Sequence, residues 1–254
     1  MVAQDPRKVA LLTGANKGIG FETARQLGVM GMVVLVGARD AGRGERAAAT
    51  LRKEGIDARF VLLDVTKEET INKAVDYVER QFRRLDVLVN NAGVLMPNAP
   101  AVGVGSAVRP PSECSIDSLR QTFETNFFGA FMVTKAFLPL LRRSDAARIV
   151  NVSSMQASLQ NKAEYGRETG HTLFLAYCAS KTALNALTAI CANELRDTPI
   201  KINSICPGYV DTDLSSHMGT KSPVDAARIP VHYATLPADG PTGGFFDEAG
   251  PIAW

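Results

Sequence analysis

Tyr177 and Lys181 stand four residues apart in the run Leu175-Ala176-Tyr177-Cys178-Ala179-Ser180-Lys181-Thr182-Ala183-Leu184. The run reads as helix, so both side chains leave one face. A free tyrosine has a pKa of about 10 and exchanges protons poorly near neutrality. An ammonium group beside it favours the phenolate and is expected to lower that pKa. The pair therefore reads as an acid/base couple. The spacing alone is not specific, because a solvated lysine above a half-buried tyrosine has the same spacing on many surface helices.

The elements that must position this pair begin at the N-terminus. Val9-Ala10-Leu11-Leu12 reads as a buried strand, followed by Thr13-Gly14-Ala15-Asn16-Lys17-Gly18-Ile19-Gly20 and then a helical pattern from Phe21. Strand, glycine turn and helix start form the setting a phosphate-binding loop requires. The glycines let the backbone approach a pyrophosphate, and the amides at the helix start receive its charge. Gly14, Asn16, Lys17, Gly18, Ile19 and Gly20 are the candidate lining residues. The spacing is Gly-x-x-x-Gly-x-Gly, unlike the common dinucleotide fingerprint.

A second strand over 32–37 ends at Ala38-Arg39. An acidic residue about 20 positions past the glycines usually holds the adenosine ribose. Arg39 stands there instead. Arg39 and Lys17 could clamp a 2′-phosphate, which points to NADP(H) as cofactor. The alternative is that Arg39 is solvated and Asp40 takes the ribose.

Further motifs follow in order. They are Asn90-Asn91-Ala92-Gly93, Thr125-Asn126, Arg148-Ile149-Val150-Asn151-Val152-Ser153-Ser154, the Tyr177/Lys181 pair and Pro207-Gly208-Tyr209-Val210-Asp211-Thr212. With the glycine turn, they make the chain resemble the short-chain dehydrogenases/reductases in their single-domain form. Asn16 to Gly20, Phe60 to Thr66, Thr125 to Gly129 and Thr220 to Pro223 look most like the carbonyl reductase branch.

That resemblance implies site roles. Tyr177 is the proton donor and Ser154 holds the same oxygen. Lys181 lowers the pKa of Tyr177 and holds the nicotinamide ribose. Asn126 holds a water that links Lys181 to solvent. Asp64 and Val65 meet the adenine. Asn91 and Gly93 approach the adenosine ribose. Pro207, Gly208, Val210 and Thr212 meet the nicotinamide. Ser153 is the neighbour most easily confused with Ser154, and strand alternation sends the two apart. Tyr165 competes with Tyr177, because it lies 11 residues past Ser154. Thr169 stands four residues beyond it, and Gly166 and Gly170 read as loop.

Two stretches depart from the family pattern. Ser154 and Tyr177 are 23 residues apart, about ten more than the family spacing, and residues 97–111 form a Pro/Gly-rich insertion. Loops near 94–112, 155–171 and 209–222 are the expected substrate mouth. The insertion before Tyr177 is long enough for about three helical turns or a short loop.

The chain has 254 residues, 46% hydrophobic, and a net charge of +2. That suits one large α/β core. Apolar runs at 8–13, 32–37, 59–64, 86–90, 147–152, 200–206 and 243–247 alternate with helical patterns at 18–29, 41–54, 67–84, 115–143, 172–197 and 223–235. About seven strands separated by helices imply a doubly wound parallel sheet, the Rossmann fold, as one domain over 1–254. No basic patch suggests nucleic acid, no apolar run is long enough to span a membrane, and the short segment before the first strand is not a leader. Cys114, Cys178, Cys191 and Cys206 lack a paired spacing, and His171, His217 and His232 lack a metal-ligand pattern. A cytoplasmic protein without metal is the expectation.

The reading that follows is an NADPH-dependent reductase of ketones or aldehydes. One rival is an NAD(P)-dependent alcohol or hydroxysteroid dehydrogenase working oxidatively. The other is a non-catalytic dinucleotide sensor. The resemblance also implies a homodimer or tetramer, paired through the helix of Tyr177 and the long helix before it. Ala176, Ala179, Ala183 and Ala186 give that helix a small-residue outer face. A monomer is the alternative.

Overall fold

The computed structural model describes residues 7–96, 110–169 and 174–254, with the backbone alone for 165–169. The insertion at 97–111 therefore lies almost wholly outside the described residues, as do His171 and the side chain of Tyr165.

Eight strands form one sheet in the order β3-β2-β1-β4-β5-β6-β7-β8. They are β1 Val9–Leu12, β2 Val33–Ala38, β3 Ala58–Leu62, β4 Val87–Asn90, β5 Arg148–Val152, β6 Lys201–Ile205, β7 Phe245–Asp247 and β8 Gly250–Pro251. All pair in parallel except β7 with β8. β8 is a short antiparallel addition to the seven expected strands. The first crossovers run from β1 outward to β3, and the chain then returns to place β4 on the other side of β1. That reversal opens a crevice at the carboxyl ends of β1 and β4.

Alternation along the strands sorts the core into two layers. Leu11, Leu35, Leu88 and Ile149 face α3 Glu68–Phe82 and α5 Ala130–Leu141, through Val78, Phe82, Phe137 and Leu140. Leu12, Val36, Val89 and Val150 face α1 Gly18–Val29, α2 Ala41–Lys53 and α9 Arg228–Ala234, through Leu27, Leu51, Ile229 and Tyr233. Both faces of every central strand are covered, which is why these strands are continuous apolar runs.

Three helical segments differ from the sequence reading. Residues 115–143 divide into α4 Ile116–Phe123, a π-helical turn Glu124–Gly129 and α5. The turn packs against the end of the third strand: a Cβ on Gly129 would lie 2.6 Å from Val65 Cγ2. The segment 223–235 breaks into α8 Pro223–Ala226 and α9. Pro230 has no N–H to give Ala226, so a continuous helix would lose that bond.

The insertion before Tyr177 forms helix α6 Leu159–Thr169, so Tyr165 and Gly166 are helical and not loop. Ser158 accepts from Asn161 N at 3.1 Å at its start, and Gln160 N donates to Trp254 O at 3.1 Å. Trp254 stacks on Phe245, with ring centres 5.9 Å apart, so the chain end pins the insertion to the sheet.

Candidate active site

The glycine turn is fastened to the crevice by the Asn-Asn-Ala-Gly segment. Thr13 Oγ1 accepts from Asn91 N at 3.0 Å and Ala92 N at 2.9 Å. Asn91 Nδ2 donates back to Thr13 O at 2.9 Å and Gly14 O at 3.2 Å. Gly14 has φ +63, and a Cβ there would lie 3.0 Å from Ala92 Cα. A Cβ on Gly20 would come within 2.4 Å of Asn91 Nδ2. The glycines are thus demanded by the close approach of the two loops. Lys17 supplies no side-chain cap to α1, so no side chain competes for the amides of Gly18, Ile19 and Gly20.

At the end of β2, Arg39 is exposed and forms no ion pair among the described residues. Asp40 instead caps α2, accepting from Arg43 N at 2.8 Å. Asp64 Oδ1 accepts from Thr66 N at 3.1 Å and Thr66 Oγ1 at 2.8 Å, which fixes the turn that carries buried Val65.

The candidate acid/base pair, Tyr177 and Lys181, lies where β5 meets the long helix α7 Leu175–Glu194. Ser154 follows β5, outside the core, where its Oγ accepts from Gln156 N at 3.2 Å, and it opposes the effect of burial on the Tyr177 hydroxyl. Ser153 is buried, and its Oγ has no partner in the described structure, so the two serines face apart as alternation requires. Burial pushes Tyr177 up to about 12, with Ser154 opposing the shift. Lys181 is buried and donates to Val152 O at 2.7 Å, with its Nζ 5.8 Å from the centre of the Tyr177 ring. Burial lowers Lys181 to about 8. The expected lowering of Tyr177 by Lys181 is therefore not what this structure has. Removal from water outweighs an ammonium that is bonded elsewhere.

Asn126 sits in the π-helical turn, 1% exposed. Its Oδ1 accepts from Val94 N at 2.8 Å, and its Nδ2 donates to Val94 O at 2.9 Å and Ser180 Oγ at 3.0 Å. The amide clamps the segment after Gly93 to α7. A Cβ on Gly93 would lie 3.4 Å from Lys181 Nζ and 3.5 Å from Asn126 Oδ1, so these three residues converge. Ser180 also donates to Tyr177 O at 2.8 Å. The sequence reading gave it no role, although it stands inside the Tyr/Lys run.

The last loop closes the crevice. Pro207 is buried and Gly208 has φ +88. Val210 bridges to Lys221, and Thr212 N receives Ser215 Oγ as acceptor at 3.2 Å. Thr212 Cγ2 would lie 3.3 Å from a Cβ on Gly18, so the loop touches the glycine turn. Lys17 is ion-paired with Asp213, and His217 reaches Asp211 at 2.7 Å and Asp213 at 3.0 Å. The sequence analysis missed Asp213 and His217, and nothing local marks them. Among the described residues, no His/Cys/Asp/Glu group could hold a metal, and no helix is long and apolar enough to cross a membrane.

A family model described as short chain dehydrogenase matches residues 8–222. The chain belongs to the short-chain dehydrogenase family. It is an oxidoreductase of the CH–OH/C=O type. A family relative, (+)-neomenthol dehydrogenase of Arabidopsis thaliana, is 33% identical over 97% of this chain and 98% of its own length. Another, carbonyl reductase [NADPH] 1 of Mus musculus, is 35% identical, with 98% and 99% covered. Its alignment runs over 287 positions, more than the 254 residues here, so that relative carries internal residues this chain lacks. The solved structure of NADPH-bound carbonyl reductase from chicken fatty liver superposes with a TM-score of 0.81. It shares 25% identity and covers 98% of this chain and 100% of that one.

Proposed function

We propose that this chain is an NADPH-dependent reductase of ketones or aldehydes. The observation that carries the reading is the Tyr177 hydroxyl, kept protonated at neutral pH and placed beside Ser154 at the carboxyl ends of the parallel strands. A protonated phenol is ready to give its proton to a carbonyl oxygen.

The glycine turn and the start of α1 fit a pyrophosphate, because side chains there would fill the space the loops leave and no side chain caps the helix. Arg39 has no ion pair among the described residues and suits a 2′-phosphate, with Lys17 as a second cation. Asp40 is occupied as a helix cap, which argues against a ribose-binding acid. Asp64 and Val65 would meet the adenine, and Asn91 and Gly93 the adenosine ribose. Lys181 would hold the nicotinamide ribose, while Pro207, Gly208, Val210 and Thr212 would bound the nicotinamide.

NADPH held by these residues would supply the hydride that the carbonyl carbon needs. Tyr177 gives its proton to the oxygen, and Ser154 donates a hydrogen bond that stabilises the negative charge developing there. Lys181, held by Val152 O, keeps a positive charge behind Tyr177 and stabilises the phenolate left once the proton has gone. Asn126 and Ser180 fix the backbone on either side of Lys181. The loops near 94–112, 155–171 and 209–222 would form the substrate mouth of the single domain.

Oxidation of an alcohol is the second reading, favoured by the dehydrogenase name of a relative. It needs the Tyr177 phenolate, which burial disfavours. We also infer that a second copy docks on α5 and α7, where Phe131 and Ile190 are exposed.

The test is NADPH consumption against a panel of ketones, aldehydes, quinones and diketones, with Tyr177→Phe alongside. Turnover by wild type and not by the variant is the expected result. Tight NADPH binding with no turnover across the panel would leave a dinucleotide sensor and sink the reductase.

A further inference from the structure

Lys17 carries one positive charge and faces two claims on it. In this structure its ammonium is paired with Asp213, 196 residues further along the chain. Asp213 directly follows Thr212 and opens a single 3₁₀ turn, Asp213–Ser215. Its other oxygen lies 3.0 Å from His217 Nε2, and His217 Nδ1 lies 2.7 Å from Asp211 Oδ1. Asp213 is thus held between the cation of the glycine turn and an imidazole of its own loop. Lys17 is the larger influence in holding its carboxyl below the usual range, so Asp213 is charged at neutral pH.

The loop is shaped to keep the carboxylate there. Ser216 and His217 have φ of 53 and 59, a region rare for residues with a Cβ. Ser215 Oγ donates to Val210 O at 2.7 Å and accepts from Thr212 N at 3.2 Å. Thr212 sits against Gly18, which brings the loop to the mouth of the turn. Arg39 has no comparable opponent: its neighbour Asp40 is spent on the cap of α2.

We propose that Asp213 is a specificity-determining residue, a carboxylate that holds Lys17 in the free protein and yields it to the 2′-phosphate of an incoming cofactor. The proposal rests on NADP(H) as the cofactor. A cofactor without that phosphate leaves the Lys17–Asp213 clasp closed. One with it exchanges one anion for another on the same ammonium. The clasp therefore lowers affinity for NADP(H), the fraction by which its competent state is depleted. It also recaptures Lys17 when the oxidised cofactor leaves. Because Thr212 precedes Asp213, the exchange is felt by the loop that bounds the nicotinamide.

The experiment is calorimetric titration of the full chain with adenosine 2′,5′-bisphosphate and with 5′-AMP. The proteins are wild type, Asp213→Asn, Lys17→Met and the double variant. Asp213→Asn is expected to tighten the bisphosphate about two- to fivefold, the range an exposed ion pair supports. AMP binding stays within twofold, and the gain disappears in the Lys17→Met background. Asp213→Ser repeats the result, since charge and not amide geometry acts. Equal tightening of AMP, weaker bisphosphate binding by both Asp213 variants, or a gain that survives Lys17→Met would each overturn the clasp alone. A wild type that binds bisphosphate no better than AMP would overturn the NADP(H) reading as well.

Discussion

Lys181 aims its ammonium at the carbonyl oxygen of Val152, 2.7 Å away, and stands 5.8 Å from the centre of the Tyr177 ring. Lys181 is buried and Tyr177 half-buried, and they shift in opposite directions, Tyr177 to about 12 and Lys181 to about 8. Each shift has desolvation as its main cause, which favours the neutral phenol and the neutral amine.

The pH dependence of reduction follows. Tyr177 stays protonated well past neutrality, so its ionisation does not set the alkaline limb. Lys181 loses its charge around pH 8. Reductive kcat/KM, which reports the free enzyme's groups, is expected to fall as pH rises through about 8. A profile that stays flat to about pH 10, the free-phenol range, would show that the charge on Lys181 contributes nothing.

Stability carries the same signature. Lys181 binds its proton less tightly in the folded protein than its ordinary value of 10.5. Between about 8 and 10.5 the unfolded chain holds more protons at this site, so folding stability gains with pH there. Lys181→Met removes that slope. Urea midpoints of variant and wild type, measured from pH 7 to 10, are expected to change in the wild type's favour as pH rises. Parallel curves would mean that Lys181 titrates normally.

Arg39 should discriminate between the two nicotinamide cofactors. A charge-assisted contact to a 2′-phosphate is worth about 1.5–3 kcal/mol, so Arg39→Ala should weaken NADPH binding by about tenfold or more. NADH binding should hardly change, and Arg39→Asp should turn the preference toward NADH. Fluorescence titration with both cofactors is the measurement. Equal losses for both would place Arg39 outside the phosphate site.

Much of this architecture is legible from sequence because local chemistry specifies it. Gly14, Gly18 and Gly20 follow a strand and open a helix, a setting that the chain shows within a dozen residues. Ser153 and Ser154 separate by strand alternation alone. The break between α8 and α9 was also available, from Pro230. What could not be read is contact between distant segments. The π-helical turn arises where Gly129 meets Val65, and nothing in Glu124 to Gly129 interrupts a helical pattern. The Lys17–Asp213 pair spans 196 positions. The alkaline shift of Tyr177 depends on how completely α7 and β5 exclude water, whereas spacing shows only that an ammonium is near.

A buried polar chain crosses beneath the site. Asn90 Nδ2 donates to Thr134 Oγ1 at 2.9 Å and Asn151 Oδ1 at 2.8 Å. Asn151 Nδ2 donates to Thr188 Oγ1 at 2.8 Å, and Thr188 meets Ser204 Oγ at 2.7 Å. It ties β4, β5 and β6 to α5 and α7 below Tyr177 and Lys181. Thr188→Val keeps the shape but leaves Asn151 Nδ2 without that acceptor. It should cost about 1–3 kcal/mol in urea unfolding. A cost below about 0.5 kcal/mol, the range of neutral surface changes, would show the chain to be dispensable.

The last prediction concerns assembly. Of the alanines expected on the outer face of α7, Ala176 is buried and Ala186 is exposed, so that face begins further along the helix. Ile190 is 67% exposed on α7, with Phe131 at 41% on α5 and Phe128 at 44% in the turn before it. The β8 edge of the sheet offers a poorer surface. β8 is two residues long and ends in Pro251, which has no N–H to pair with another strand. A second copy is therefore expected on the helical face and not along β8. Light scattering at micromolar concentration should give at least twice the chain mass of 27.2 kDa. Ile190→Glu should return the mass to that of one chain, because a charge in an apolar interface has no partner there. A wild type that stays at the mass of one chain would refute the pairing. An oligomer indifferent to Ile190→Glu would place the contact elsewhere.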